Sequence, residues 1–154
     1  MTINEITTGK SHEVTIIPVE ASDYKTITKK RYFFDWKQEK EFEIYKLCIL
    51  SSNDILGLVS FEKIPSEWRI HIRLLTVSIE NKGKNKKFDN IAGNLIAHVA
   101  KIAIIEYAEL ACVSLRPKTE IAQHYIKKYN FIATGMTLSI EIPEIINLIH
   151  QYHD

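Results

Sequence analysis

Cysteine is scarce in this chain, and so is any imbalance of charge. Its 154 residues include only Cys48 and Cys112. Each stands inside an apolar run, without the paired spacing of a metal site or a disulfide framework. They are expected to be reduced core residues of a cytoplasmic protein. The formal net charge is +1, so no global basic field points to nucleic acid. No apolar run approaches the roughly 20 residues that cross a bilayer, and no membrane association is expected. The opening MTINEITTGKSHE is polar and lacks the apolar region of a signal peptide. His12, His150 and His153 lie near the termini without cysteine or carboxylate partners at ligand spacing, so no metal is expected. There is no repeat, linker or low-complexity segment.

What remains is the composition of an ordinary globular protein, 45% hydrophobic and 25% charged. The length predicts one domain over 1–154, with residues 1–12 loose. Val14 to Val19 reads as a strand. Ala21 to Lys30 reads as a helix capped by Ser22 or Asp23. An aromatic stretch, RYFFDWKQEK, follows; its Phe33, Phe34 and Trp36 either line a pocket or anchor the first helix. Residues 42–50 and 55–63 form the arms of a hairpin around a Ser-Ser-Asn-Asp turn. Residues 68–79 form a long strand whose register blurs at Leu74-Leu75. A helix over 90–107, a short strand over 111–115, a helix over 117–129, two strands over 131–133 and 136–142, and a C-terminal helix over 143–152 complete the order. The period of 3.6 in Ile91, Leu95, Val99 and Ile102 carries the long helix. His98 on that helix reads as a surface or core residue rather than a ligand.

The most informative stretch is LLTVSIENKGKNKKFDNIAGNLIAHVAKIA, from Leu74 to Ala103. An apolar strand runs into a lysine-rich loop that opens a helix. First-turn amides lack intrahelical acceptors, and the helix dipole adds positive potential, so such a place holds phosphate. Lys82, Lys84, Lys86 and Lys87 surround it. Ala92 and Gly93 keep the helix start narrow enough for a diphosphate to approach the backbone.

In this order the elements resemble the GCN5-related N-acetyltransferase family. The family's pyrophosphate signature is Arg or Gln, two residues, Gly, one residue, then Gly or Ala. Here Lys87-Phe88-Asp89-Asn90-Ile91-Ala92 occupies that place. Lys87 departs from Arg or Gln, and Asn90 departs from Gly. Asn is the non-glycine residue that best tolerates a left-handed backbone. Leu75-Thr76-Val77 matches the preceding Leu-x-Val. Val113-Ser114-Leu115, Thr119, Ala122 and Tyr129-Asn130-Phe131 resemble a second block, in which Asn130 stands for another Gly. The resemblance covers about Tyr45 to Ile142.

It implies an α+β fold: a mixed, mostly antiparallel twisted sheet of six to seven strands flanked by helices, splaying between the Leu75 and Cys112 strands. It further implies acetyl-CoA as cosubstrate. The pantetheine would pair with Leu75 and Val77, and the diphosphate would rest on Lys87, Asn90, Ala92 and Gly93, with Thr119 near the cofactor. The acceptor would be an amine of a small molecule, peptide or protein, and a homodimer is expected from exposed terminal strands. Alternatives are a coenzyme A-binding module without chemistry and an RNA-directed acetyltransferase of the toxin type.

Acetyl transfer needs a deprotonated amine, a donor for the tetrahedral oxyanion, and a proton for the leaving thiolate. Glu62 and His71 are the base candidates, although a cross-strand polar face with Arg69 and Arg73 accounts for His71 more simply. The family's acid is a Tyr at the position that Ile126 occupies here. Tyr125 lies one residue earlier and is the acid candidate, with core packing as its other reading. Ser114 or water stands behind it.

Overall fold

The computed structural model describes residues 1–153. Their contacts separate into two compact units: Met1–Ser60 with Leu74–Leu95, and Phe61–Arg73 with the chain from Ile96 on.

In the first unit the strand order is β6-β1-β2-β3-β4-β5, formed by β1 (Thr2–Glu5), β2 (Ser11–Pro18), β3 (Glu43–Ile49), the first part of β4 (Ile55–Ile64), the end of β5 (Arg69–Val77) and β6 (Phe88–Asp89). The expectation of a loose N-terminus is wrong. β1 pairs with both β2 and β6, and Ile3 is fully buried. A buried Ile side chain contributes about 1.5–3 kcal/mol, enough to hold a four-residue strand whose composition is otherwise polar.

The single helix expected over residues 21–30 is two pieces, a 3-10 turn at Ala21–Lys25 and one helical turn, α1, at Lys29–Tyr32. Thr26-Ile27-Thr28 separates them. These β-branched residues favour extended backbone, Ile27 goes into the core, and the Thr28 hydroxyl accepts the Arg31 N–H. The cap of the first turn is Glu20 rather than Ser22 or Asp23; Asp23 sits at its third position and accepts the Glu20 N–H. The aromatic stretch anchors: Trp36 is buried and donates from Nε1 to the Tyr32 carbonyl, and the Tyr32 hydroxyl donates to the Ile55 carbonyl. Ile27, Tyr32, Trp36, Ile44, Cys48, Ile55 and Leu58 form one core cluster, on which Leu74 packs. Ile70, Ile72 and Thr76 are buried and Leu74 partly so, so alternation continues through Leu74-Leu75, where the blurred register suggested a bulge or a change of face.

The first turn of α2 (Ile91–Tyr107) lies close on β4 at Gly57. A Cβ there would meet Ile91 Cγ2 at 2.7 Å and Leu95 Cδ1 at 2.9 Å. Ile91–Leu110 is, by length and composition, apolar enough to cross a membrane, contrary to the sequence expectation. Half of that stretch is buried inside the protein, as in a core helix.

In the second unit the order is β4-β5-β7-β9-β8, with β7 (Cys112–Leu115), β8 (Ile132–Thr134) and β9 (Thr137–Glu141). β5 and β7 pair in parallel from Arg69↔Cys112 to Ile72↔Leu115. The pairs β7–β9 and β8–β9 are antiparallel. α3 (Thr119–Tyr129) ends at Asn130, whose φ of 61° is left-handed, the conformation glycine most often supplies at a helix end. Tyr129 buries its ring and meets the rings of Tyr125 and of Tyr152 on α4 (Glu144–His153). Nine strands are present among the described residues, against the six to seven expected; the short β1 and β6 are among those the periodicity did not show.

Candidate functional site

The loop between β5 and α2 is tied at both ends by Asn81, a buried residue that sequence reasoning missed. Its Oδ1 accepts the Phe88 N–H at 2.9 Å, and its Nδ2 donates to Ser78 Oγ at 2.8 Å. The Ser78 N–H in turn reaches the Leu56 carbonyl. Between these ties the chain is exposed, and Gly83 takes φ +85° with open space around it. The loop is therefore a polar arch on fixed feet.

At its end the backbone turns left-handed. Asn90 has φ 74°, the conformation that asparagine in a glycine position was expected to accept. The Asn90 carbonyl then accepts both the N–H and the side-chain Nδ2 of Asn94. Asn94 is completely buried and also donates to the Thr2 carbonyl. Ala92 is half-buried and Gly93 buried. So the first turn of α2 presents amides over small residues, as phosphate binding requires.

The lysines around it are not equivalent. Lys82 Nζ sits 4.1 Å from the centroid of the Phe33 ring, Lys87 Nζ 5.3 Å from that of Phe88, and Lys86 pairs with Asp89 Oδ1 at 3.0 Å. Lys84 is exposed. Asp89, whose Oδ1 also accepts the Asn90 N–H at 2.9 Å, places a carboxylate beside the helix start, where it opposes an anion. Leu75 and Val77 are half-buried at the end of β5, beyond the last residue that pairs with β7.

The acid and base candidates lie in the second unit. Thr119 is exposed at the start of α3. Tyr125 is half-buried, its ring edge-to-face with Phe131 at 6.0 Å, and its hydroxyl makes no hydrogen bond among the described residues. Burial pushes its pKa up, so the phenol stays protonated at neutral pH. Ile126 is half-buried.

His71 and Ser114 are cross-strand partners in the parallel pair, and their side chains meet: His71 Nδ1 to Ser114 Oγ is 2.8 Å. Arg69 joins them, donating from Nη1 to Ser114 Oγ at 2.7 Å, with its other end held by Glu67. Burial, and next the Arg69 charge, push the His71 pKa down; the Glu62 charge opposes this. The structure brings together two residues considered for opposite roles, and adds Arg69 to them. Among the described residues the ring contacts of Tyr125 are with His124, Tyr129 and Phe131 rather than with this cluster. Among the described residues no group of three or more His, Cys, Asp or Glu could hold a metal ion.

No family profile and no curated protein matches the sequence. Solved structures do. The spermidine N-acetyltransferase SpeG of Vibrio cholerae in complex with CoA and spermine superimposes with a TM-score of 0.65 at 14% identity, over 87% of this chain and 98% of that one. The same enzyme with manganese ions gives 0.64 at 14% identity, over 88% and 96%. Its dodecameric intermediate state gives 0.64 at 13% identity, over 87% and 96%. The chain has the fold of the GCN5-related N-acetyltransferases. At this identity the likeness establishes the acetyltransferase fold, a mostly antiparallel mixed sheet flanked by helices, and the residue roles rest on the chain's own geometry.

Proposed function

We propose that this chain is an acetyl-CoA-dependent N-acetyltransferase acting on a primary amine, as one domain spanning residues 1–154. The observation that carries the reading is the left-handed Asn90 at the head of α2, opening a helix start lined by Ala92 and Gly93 on a loop anchored by Asn81. The diphosphate of acetyl-CoA would take those amides, with Lys84, and Lys87 on leaving the Phe88 ring, approaching its charge, and Leu75 and Val77 would offer backbone groups to the pantetheine. The amine lone pair attacks the thioester carbonyl carbon; a backbone N–H, that of Val77 in this reading, receives the oxyanion; the C–S bond then breaks. Glu62 or water takes the ammonium proton, and Tyr125, a phenol neutral at pH 7 and made less acidic still by burial, gives one to the thiolate. That the compared enzyme was solved with CoA and spermine makes polyamines the first amines to try. The reading includes self-association through the exposed β8 edge, where Ile132 and Met136 are open, and residence in a compartment that keeps Cys48 and Cys112 reduced, the cytoplasm.

Two measurements test it. Acetyl-CoA should raise the melting temperature, because a ligand that binds only the folded state stabilises it; no shift at millimolar acetyl-CoA would refute the reading. Thiol release with a panel of polyamines, aminoalkyl compounds and peptides should then identify an acceptor. One observation favours a second reading, a coenzyme A-binding module without chemistry: Ile126 stands where the family's acid would be. Thermal stabilisation without thiol release from any amine selects it.

A further inference from the structure

Ser114 Oγ lies 2.7 Å from Arg69 Nη1 and 2.8 Å from His71 Nδ1, and Arg69 Nη1 is itself 3.4 Å from His71 Nδ1. Guanidinium only donates, so Arg69 uses one lone pair of the serine oxygen. Serine has one proton to place. If Nδ1 carried a proton, it and an Arg69 N–H would face each other across 3.4 Å, both would donate to Ser114 Oγ, and the serine proton would have no acceptor within the cluster. If Nδ1 is bare, the serine hydroxyl donates to it and Arg69 Nη1 faces a lone pair. Ser114 is 1% exposed, so water cannot relieve the first arrangement. Burial of Ser114 also keeps it from reaching a substrate.

We infer that Ser114 and Arg69 are positioning residues that fix neutral His71 as the tautomer protonated on Nε2, so that His71 presents a hydrogen-bond donor and not a base. Nδ1, the one nitrogen with a lone pair, is engaged by Ser114 and shielded by Arg69. The charged groups acting on the imidazole agree with this. Arg69 and Arg73 on its own strand disfavour the imidazolium and Glu62 on β4 favours it, with burial the largest effect and the net direction downward. In the acetyltransferase reading, on which the catalytic half of the inference rests, the Nε2–H serves charge that develops on the thioester during attack. No proton leaves His71. The ammonium proton then goes to Glu62 or water.

The tautomer is measured directly, without turnover, by long-range ¹⁵N–¹H correlation of the imidazole in the full-length protein. Nε2 should show the shift of a protonated nitrogen and Nδ1 that of a bare one at pH 7.5. A protonated Nδ1 overturns the proposal. Ser114→Ala, a small change, should convert the ring to a mixture of tautomers, and Arg69→Gln should raise the His71 pKa in the same spectra; an unchanged ring in both variants also overturns it. For the role, His71→Gln keeps a donor and His71→Ala removes it. Loss of one preorganised donor costs about 10²–10³ in kcat, so the Ala variant should fall by roughly a hundredfold and the Gln variant by about tenfold or less. Equal loss in the two variants overturns the donor role. A wild-type protein that releases no thiol from acetyl-CoA would sink the acetyltransferase reading while leaving the tautomer result standing.

Discussion

The groups that would meet a phosphate in the first unit are backbone amides, set by a left-handed asparagine and two small residues. The groups that would handle protons in the second unit are side chains, and they act through one another: Arg69 on Ser114, Ser114 on His71. A backbone site is broken by bulk or by charge at one position. A side-chain site is broken by removing a single atom, and its behaviour depends on neighbours 43 residues away in sequence. The two halves therefore fail differently under mutation, which is how they can be told apart.

The largest effect is expected at the helix start. Ala92→Glu adds bulk and a like charge where the diphosphate approaches, and Ala92 is only half-buried, so the fold should survive. Acetyl-CoA affinity should fall by roughly a hundredfold or more, about 3 kcal/mol, in calorimetric titration, with the unliganded melting temperature within a few degrees of wild type. Unchanged affinity would move the cofactor away from α2.

The second unit should respond to a subtler change. Tyr125→Phe deletes one oxygen and keeps the ring contacts with Phe131, Tyr129 and His124. If the phenol protonates the thiolate, kcat should drop about tenfold or more while acetyl-CoA binding stays near normal, since general acid catalysis contributes about 10²–10⁴. Full activity would leave Tyr125 as packing and pass the proton to water.

The same contrast explains what could be read in advance. Asn90 and Asn130 stand where the resembled signature has glycine, and a positive φ is a local requirement that asparagine meets; both are left-handed. The long helix and the hairpin arms were visible because their apolar periods are long. The His71–Ser114 contact was not visible, because it depends on a parallel register between strands separated by α2. Asn81 looked like one more polar loop residue; only the close approach of Phe88 makes it a tie. Nothing in the arm over 55–63 announces that Gly57 lies under Ile91 and Leu95, because that approach joins residues far apart in sequence. β1 escaped notice because Ile3 is the only apolar residue within it.

The second unit should contribute a pH dependence of stability through His98. Burial drives the His98 pKa down to about 4 from the ordinary 6.5, with the charges of His153 on α4 and Lys101 on its own helix acting in the same direction. The unfolded chain thus binds a proton between these values that the folded one does not. Stability contributed by neutral His98 is complete above about pH 6.5 and is lost progressively as the pH falls toward 4. Melting temperature should decline over that window, and His98→Asn should flatten the decline. An identical slope in the variant would assign the acid sensitivity to other groups.

The smallest effect should be a gain. Asp89 sets a carboxylate beside the amides that would take phosphate, paired with Lys86 and accepting the Asn90 N–H. Asp89→Asn keeps an oxygen for the Asn90 N–H, removes the like charge, and frees Lys86 for the ligand. A charge at a helix terminus is worth about 0.3–1 kcal/mol, so acetyl-CoA should bind roughly two- to fivefold tighter at low salt. The unliganded protein should lose a similar amount of stability, because the carboxylate no longer complements the dipole of α2. The gain should shrink as salt is added, since salt screens interactions between exposed charges. Weaker binding in the variant would mean that Asp89 organises the loop more than it repels the ligand, and the phosphate cradle would then depend on that carboxylate as it does on Asn90.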